Sequence, residues 1–295
     1  MLRGQRIARA LDDTVKTLFA EALRGLRDLT QTDDARVHGT RKHLKRLRAL
    51  APLLDALEGE RLSDADRFAL RNVARSLGRA RTPAAEAEAW LEVWPSAESG
   101  TTTAVGRMLQ ARRAPAAVVQ RRLQRSERVL AGLGERVITR SSTLSAAEDY
   151  DHERLLKNLR RAYRKGRRTM QKARAAPSWE RLHALRRASK SHGYQLQFLE
   201  LFFEQRIKPE RSRLARLADT LGGHHDLGGI KRYLEEQPAF VQNPGGRETL
   251  KKVRRRLRTL RRRCLKVASK SFRERPRAFE DRIRGYFESS AFERD

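Results

Sequence analysis

Val37 to Leu50 reads VHGTRKHLKRLRAL, and Leu182 to Leu196 reads LHALRRASKSHGYQL. Superposed, His38 matches His183, Arg41 matches Arg186, Lys42 matches Arg187 and Lys45 matches Lys190. A second pair of stretches follows in the same order, LGRAR from Leu77 and LGGHHD from Leu221. Gly78 comes 40 residues after His38, and Gly222 comes 39 after His183. Two motifs repeated in one order at nearly one spacing indicate a duplicated unit. The chain is read as two similar helical halves, 1–145 and 146–295, each with four main helices.

At about 100° per residue, His38, Arg41, Lys42, Lys45, Arg46 and Arg48 fall within an arc of about 160° on one helix. Leu44, Leu47, Ala51 and Leu54 occupy its other side. One face packs, and the other presents five cations and an imidazole. The second copy keeps His183, Arg186, Arg187 and Lys190, loses charge at Ser191 and Gly193, and carries Tyr194 on the same polar face. A solvated helix face ordinarily mixes acids with bases so that i,i+4 pairs form. From Arg36 to Arg48 there is no acid at all, so the row repels itself unless a polyanion meets it.

Outward from these helices the chain reads as all-α. Ala, Leu, Arg and Glu dominate, and apolar residues step by three and four. Helices are expected near 5–29, 34–56, 64–78, 83–94, 102–138 with a break at Pro115, 149–175, 179–204, 208–222, 227–236, 247–274 and 277–288. Gly59, the run 95–100, Pro177, Pro209 and the run 237–246 are expected to separate them. Asp33, Ser63 and Asp64 are the N-cap candidates. Gly222-Gly223 and Gly228-Gly229 bracket a segment read as a loop that ends one helix before the next begins.

The composition fits this picture. Lys and Arg number 66 against 36 for Asp and Glu, a formal charge of +30 over 295 residues, and both halves are basic. Such a surplus points to a polyanionic partner. The single cysteine, Cys264, excludes a disulfide framework and a Cys-rich zinc site, and fits a reducing, cytoplasmic setting. No run of eighteen apolar residues exists to span a membrane. Two further segments are dense in cations. The stretch 154–174 has no acid between its ends and carries Lys157, Arg161, Arg164 and Arg168, while 251–270 is basic nearly all the way round. The charge on 251–270 reads equally well as a binding surface or as general solubilisation.

The motif H-x-x-R-[KR]-x-x-K on one helix, followed by L-G, and present twice, resembles the CHAD domain, the conserved histidine α-helical domain. The resemblance covers essentially the whole chain. It implies two four-helix bundles related by pseudo-twofold symmetry, with a basic groove or pore between them. It also implies binding of inorganic polyphosphate and association with polyphosphate granules. Carried over by position, the ligand surface comprises His38, Arg41, Lys42, Lys45, Arg46, Arg48 and Arg81 in the first half. The second half gives His183, Arg186, Arg187, Lys190, Tyr194 and His225, with Lys157, Arg161, Arg164 and Arg168 added from the basic stretch. Thr82 stands where the family has an acid, and Ser191 and Gly193 replace usual cations, so the two copies are not equivalent. His192 falls on the apolar side and is read as a packed histidine.

The main alternative is binding to a DNA or RNA backbone, since net charge does not separate phosphate polymers. Single-strand binders interleave aromatic platforms with cations, whereas aromatics are 6% here and Tyr163 stands alone in the 154–174 run. No enzymatic activity, cofactor or metal is expected. Phosphoryl transfer calls for metal-holding carboxylates or a positioned nucleophile, and no P-loop pattern occurs. His224, His225 and Asp226 lack convergent partners for a metal. A membrane-surface helix would need an aromatic-rich apolar face, and Trp90, Trp94 and Trp179 are read as packing residues.

Overall fold

The computed structural model describes residues 3–57, 59–94, 100–143 and 150–289. Among them the regular elements are all helices: α1 (Arg3–Arg27), α2 (Asp33–Leu54), α3 (Asp64–Val93), α4 (Gly100–Ala111), α5 (Ala116–Thr143), α6 (His152–Ala175), α7 (Trp179–Leu199), α8 (Glu204–Glu235), α9 (Pro238–Gln242), α10 (Pro244–Ser271) and α11 (Pro276–Glu288). The fold is all-α, as read from the periodicity. The boundary at 145 lies outside the described residues.

Local chemistry explains the starts and stops. Ser63 forms a capping box with Asp66 at the head of α3, satisfying two orphan donors reciprocally. Thr32, not Asp33, caps α2, because its hydroxyl accepts from Ala35 N. Gly59 has φ 75°, a left-handed turn between α2 and α3 that only glycine takes freely. Pro115 ends the α4 region as expected, and α5 begins at Ala116.

Three expected breaks do not occur. The helices read at 64–78 and 83–94 are one helix, α3, which passes through Pro83. A proline inside a helix removes one backbone donor; beside it the Thr82 hydroxyl donates to Gly78 O at 3.0 Å. Likewise the segment 223–226, read as a loop, lies within α8, which runs on through both glycine pairs and also contains Pro209. Glycine lowers helix propensity by about 1 kcal/mol, so tertiary packing overrides the local signal here. Three of these glycines are seats for side chains from other helices, described below.

α1, α2, α3 and α5 pack as one group, and α6, α7, α8 and α10 as another, with α11 laid on α6. The groups meet where α2 contacts α7 and α3 contacts α8. Gln195 on α7 donates to Ala49 O, and Asn158 on α6 donates to Pro52 O, so polar side chains tie the second group to the α2 backbone. One apolar cluster runs from Ile7 in α1 to Phe287 in α11, and both halves share it. A smaller cluster around Trp90, Leu227, Ile230 and Val253 fills the space among α3, α4, α8 and α10.

Candidate functional site

Each copy of the motif places an arginine across a glycine of the next helix. Arg41 on α2 lies over Gly78 of α3, where a β-carbon would stand 2.6 Å from Nη1. Nη1 also donates to Ala74 O at 2.9 Å. Arg186 on α7 lies over Gly222 of α8, where a β-carbon would be 3.5 Å from Nη2. The L-G dipeptide that follows each basic helix therefore makes room for a guanidinium, which is why the α8 glycines do not terminate the helix. Arg186 Nε is shielded from solvent and has no hydrogen-bond partner.

The two copies come together at the α2–α7 seam. Lys45 is half-buried and crowded by cations. Burial first, then the charges of Arg41, Lys190 and Arg186, bring its pKa down to about 7, with Asp226 opposing. Lys190 is lowered by burial and then Arg186, against the pull of Asp219 and Asp226. Burial raises the Tyr194 hydroxyl, and Arg46 and Arg186 act the other way. Arg48 is exposed beside Arg187, Arg71 and Arg75; partial desolvation and then those like charges lower its pKa. The seam thus gathers cations from α2, α3 and α7, with Asp219 and Asp226 from α8 as the carboxylates acting on its lysines.

The remaining candidates take distinct places. Lys42 and His38 are exposed on α2, and Arg187 on α7. Arg46 and Tyr194 line a cavity of about 330 Å³ among α1, α2 and α7 that also holds Asp13 and Glu21. Arg81 belongs to α3, and its side chain lies outside the described residues. Lys157, Arg161, Arg164 and Arg168 are exposed along α6, and none is among the groups whose charges act on Lys45 or Lys190. The structure brings the α2 and α7 candidates together and leaves those of α6 apart.

Trp179 corrects the sequence reading. It is no ordinary packing residue, for it stacks on His183 at 5.5 Å and on His225 at 4.7 Å between ring centroids, with Arg232 3.8 Å over its own ring. Gly228 provides its seat, since a β-carbon there would meet the indole at 2.8 Å. His183 Nδ1 and His225 Nδ1 are 3.2 Å apart. Burial and then the cations Arg186 and Arg187 lower the pKa of His183. Burial, His183 and Arg186 hold His225 down to about 3. Burial and neighbouring cations thus disfavour the charged form of both imidazoles, and the permanent charge of the seam comes from Arg and Lys. The signal for Trp179 was available, because it lies four residues before His183 on the same helix. His192 is fully buried against Tyr163 and Phe279, as its apolar position indicated.

The family model of the CHAD domain matches residues 9–235. The chain belongs to the CHAD domain family. The crystal structure of the CHAD domain from the plant Ricinus communis superposes with a TM-score of 0.60 at 18% identity, covering 91% of this chain and 92% of that one. At that identity the likeness concerns the fold. A search of the curated proteins finds no match. Among the described residues no cluster of three or more His, Cys, Asp or Glu side chains could hold a metal ion, and no helix is long and apolar enough to cross a membrane.

Proposed function

We propose that this CHAD domain binds inorganic polyphosphate at the α2–α7 seam, without catalysis, with the two motif copies acting as pseudo-twofold mates. The observation that carries the reading is the crowding of Arg41, Arg186 and Lys190, drawn from both motif copies, around a half-buried Lys45. Like charges brought together at partial burial cost stability, and a polyanion removes that cost. Polyphosphate offers only phosphate oxygens, so rigid rows of guanidinium and ammonium groups suffice to hold it. Arginine meets those oxygens through paired N–H donors. Arg41 and Arg186, each fixed over a glycine, are presented without a large loss of rotamer freedom. Association with polyphosphate granules follows on this reading.

Binding to such a polymer releases counterions, so affinity falls linearly with salt on logarithmic axes. The deciding experiment is a competition at matched phosphate and salt, with polyphosphate against single-stranded and double-stranded DNA and RNA. Polyphosphate is expected to displace each nucleic acid. Nucleic acid prevailing at equal salt overturns the reading in favour of a backbone-binding protein.

A further inference from the structure

The seam does not use all of the charge. In the second group, α7 and α8 face α3 and α2, while α6 and α10 complete the bundle and contact each other. On α10, Arg255, Arg258, Arg262 and Lys266 are exposed. At about 100° per residue they fall within roughly 80° of arc, opposite buried Val253, Cys264 and Ala268. On α6, Lys157, Arg161, Arg164 and Arg168 are exposed and share roughly 60° of arc, opposite buried Leu159, Tyr163 and Met170. Each row extends over roughly 16 Å of helix at about 1.5 Å per residue.

Among the described residues no carboxylate pairs with either row. Glu280 pairs with Arg160, Glu235 with Arg254 and Glu248 with Lys251, all beside the rows and not in them. Some cations of the first group are paired as well, Lys16 with Asp12, Arg27 with Glu127, and Arg136 and Arg140 with Asp66. The α6 and α10 rows lie outside the ion pairs of their own group.

We infer that the α6–α10 face is a second polyphosphate-binding surface, separate from the seam, so that one molecule holds two polyphosphate segments and cross-links chains. The inference rests on the polyphosphate reading of the seam and extends it to a different set of residues. The rows contain no aromatic side chain, so they offer bases no stacking platform. A flexible phosphate chain can follow a straight row of cations along its length, whereas the backbone of a rigid duplex winds away from it after a few phosphates.

The test counts chains bound per protomer by native mass spectrometry and calorimetry, using the full protein and polyphosphate too short to span both surfaces. The wild type is expected to bind two chains at low salt, one tightly and one weakly. The variant Arg255→Gln, Arg258→Gln, Arg262→Gln, Lys266→Gln is expected to bind one, with weak-site affinity down at least about tenfold and tight-site affinity within about threefold of wild type. All four side chains are exposed, and circular dichroism verifies that the fold persists. Lys157→Gln, Arg164→Gln, Arg168→Gln is expected to give the same loss independently. A wild type that binds one chain, or α6 and α10 variants that still bind two, overturns the inference. Duplex DNA displacing the weakly held chain at equal phosphate and salt overturns it as well. Arg41→Glu, Lys45→Glu is expected to retain the weak chain alone; if it retains both, the seam reading fails while the outer surface stands.

Discussion

In the first motif copy Arg41 is anchored over Gly78 and bonded to Ala74 O, while in the second Arg186 lies over Gly222 with a shielded, unpartnered Nε. Around Arg186 stands a layered stack of Arg232, Trp179, His225 and His183. At the position of Trp179 the first copy has Asp34, which pairs with Arg113. Duplication has thus kept the arginine-over-glycine device and let its supports diverge. One copy holds its guanidinium with a backbone carbonyl, and the other sets it where its charge lowers the pKa of His183 and His225. Burial and charge crowding outweigh the pull of Asp219 and Asp226 at Lys190 of the second copy.

Charge reversal should break this comparison most severely. Arg41→Glu with Lys45→Glu, and separately Arg186→Glu with Lys190→Glu, are each expected to lower polyphosphate affinity by about a hundredfold or more, because each replaces two charge-assisted contacts by repulsion. Helicity by circular dichroism should stay unchanged. Unaltered affinity in either variant removes that copy from the site. Trp179→Ala comes next. It empties the stack and is expected to cost about 2 kcal/mol of stability in thermal unfolding, whereas Trp179→Phe should recover most of the loss. The glycines give a smaller and opposite pair of effects. Gly222→Ala meets Arg186 at ordinary contact distance and should raise stability by up to about 1 kcal/mol through helix propensity. Gly78→Ala drives the Arg41 head away, so loss of its bond to Ala74 O, about 1 kcal/mol, should cancel that gain and weaken binding.

Most of the fold was legible in the sequence, since apolar steps of three and four gave helices at every place where the structure has a long one. The meeting of the two motif helices was foreshadowed too, because His38/His183, Arg41/Arg186 and Lys45/Lys190 repeat in register and α2 contacts α7. What misled was the local meaning of glycine and proline. Gly222, Gly223, Gly228 and Gly229 signal a helix end when read along the chain, but Arg186, Trp179 and Glu86 occupy the space left at Gly222, Gly228 and Gly229. That information belongs to other helices and is absent from the local window. Pro83 misled for the same reason, as α3 is held by packing through Ala80, Ala84, Ala87 and Trp90 on either side of it. The separation of the α6 cations from the α2–α7 seam was not legible, because charge does not say which way a helix faces within a bundle.

The smallest expected effect concerns protons, and it separates the lysine of the first copy from the imidazoles of the second. Lys45 has its pKa lowered from the ordinary lysine range to about 7 by burial and by Arg41, Lys190 and Arg186. A group whose folded pKa lies below its unfolded value is bound to more protons in the unfolded state between those two values. Stability of the unliganded protein should therefore rise as pH increases above about 7. Affinity should move the other way, because a bound polyanion favours the protonated lysine and binding takes up protons once Lys45 begins to deprotonate. Raising the pH from 6 to 8 is expected to weaken polyphosphate binding by about severalfold at fixed salt. Calorimetry in buffers of different ionisation enthalpy should register proton uptake on the alkaline side of that range. Lys45→Arg keeps the charge at every pH used and should abolish both the uptake and the slope. His183→Ala should leave them in place, since burial and then Arg186 and Arg187 lower the pKa of that ring and disfavour its charged form. If His183→Ala removes the pH dependence and Lys45→Arg does not, the proton belongs to the second copy, and the division of labour between the two copies is the reverse of the one argued here.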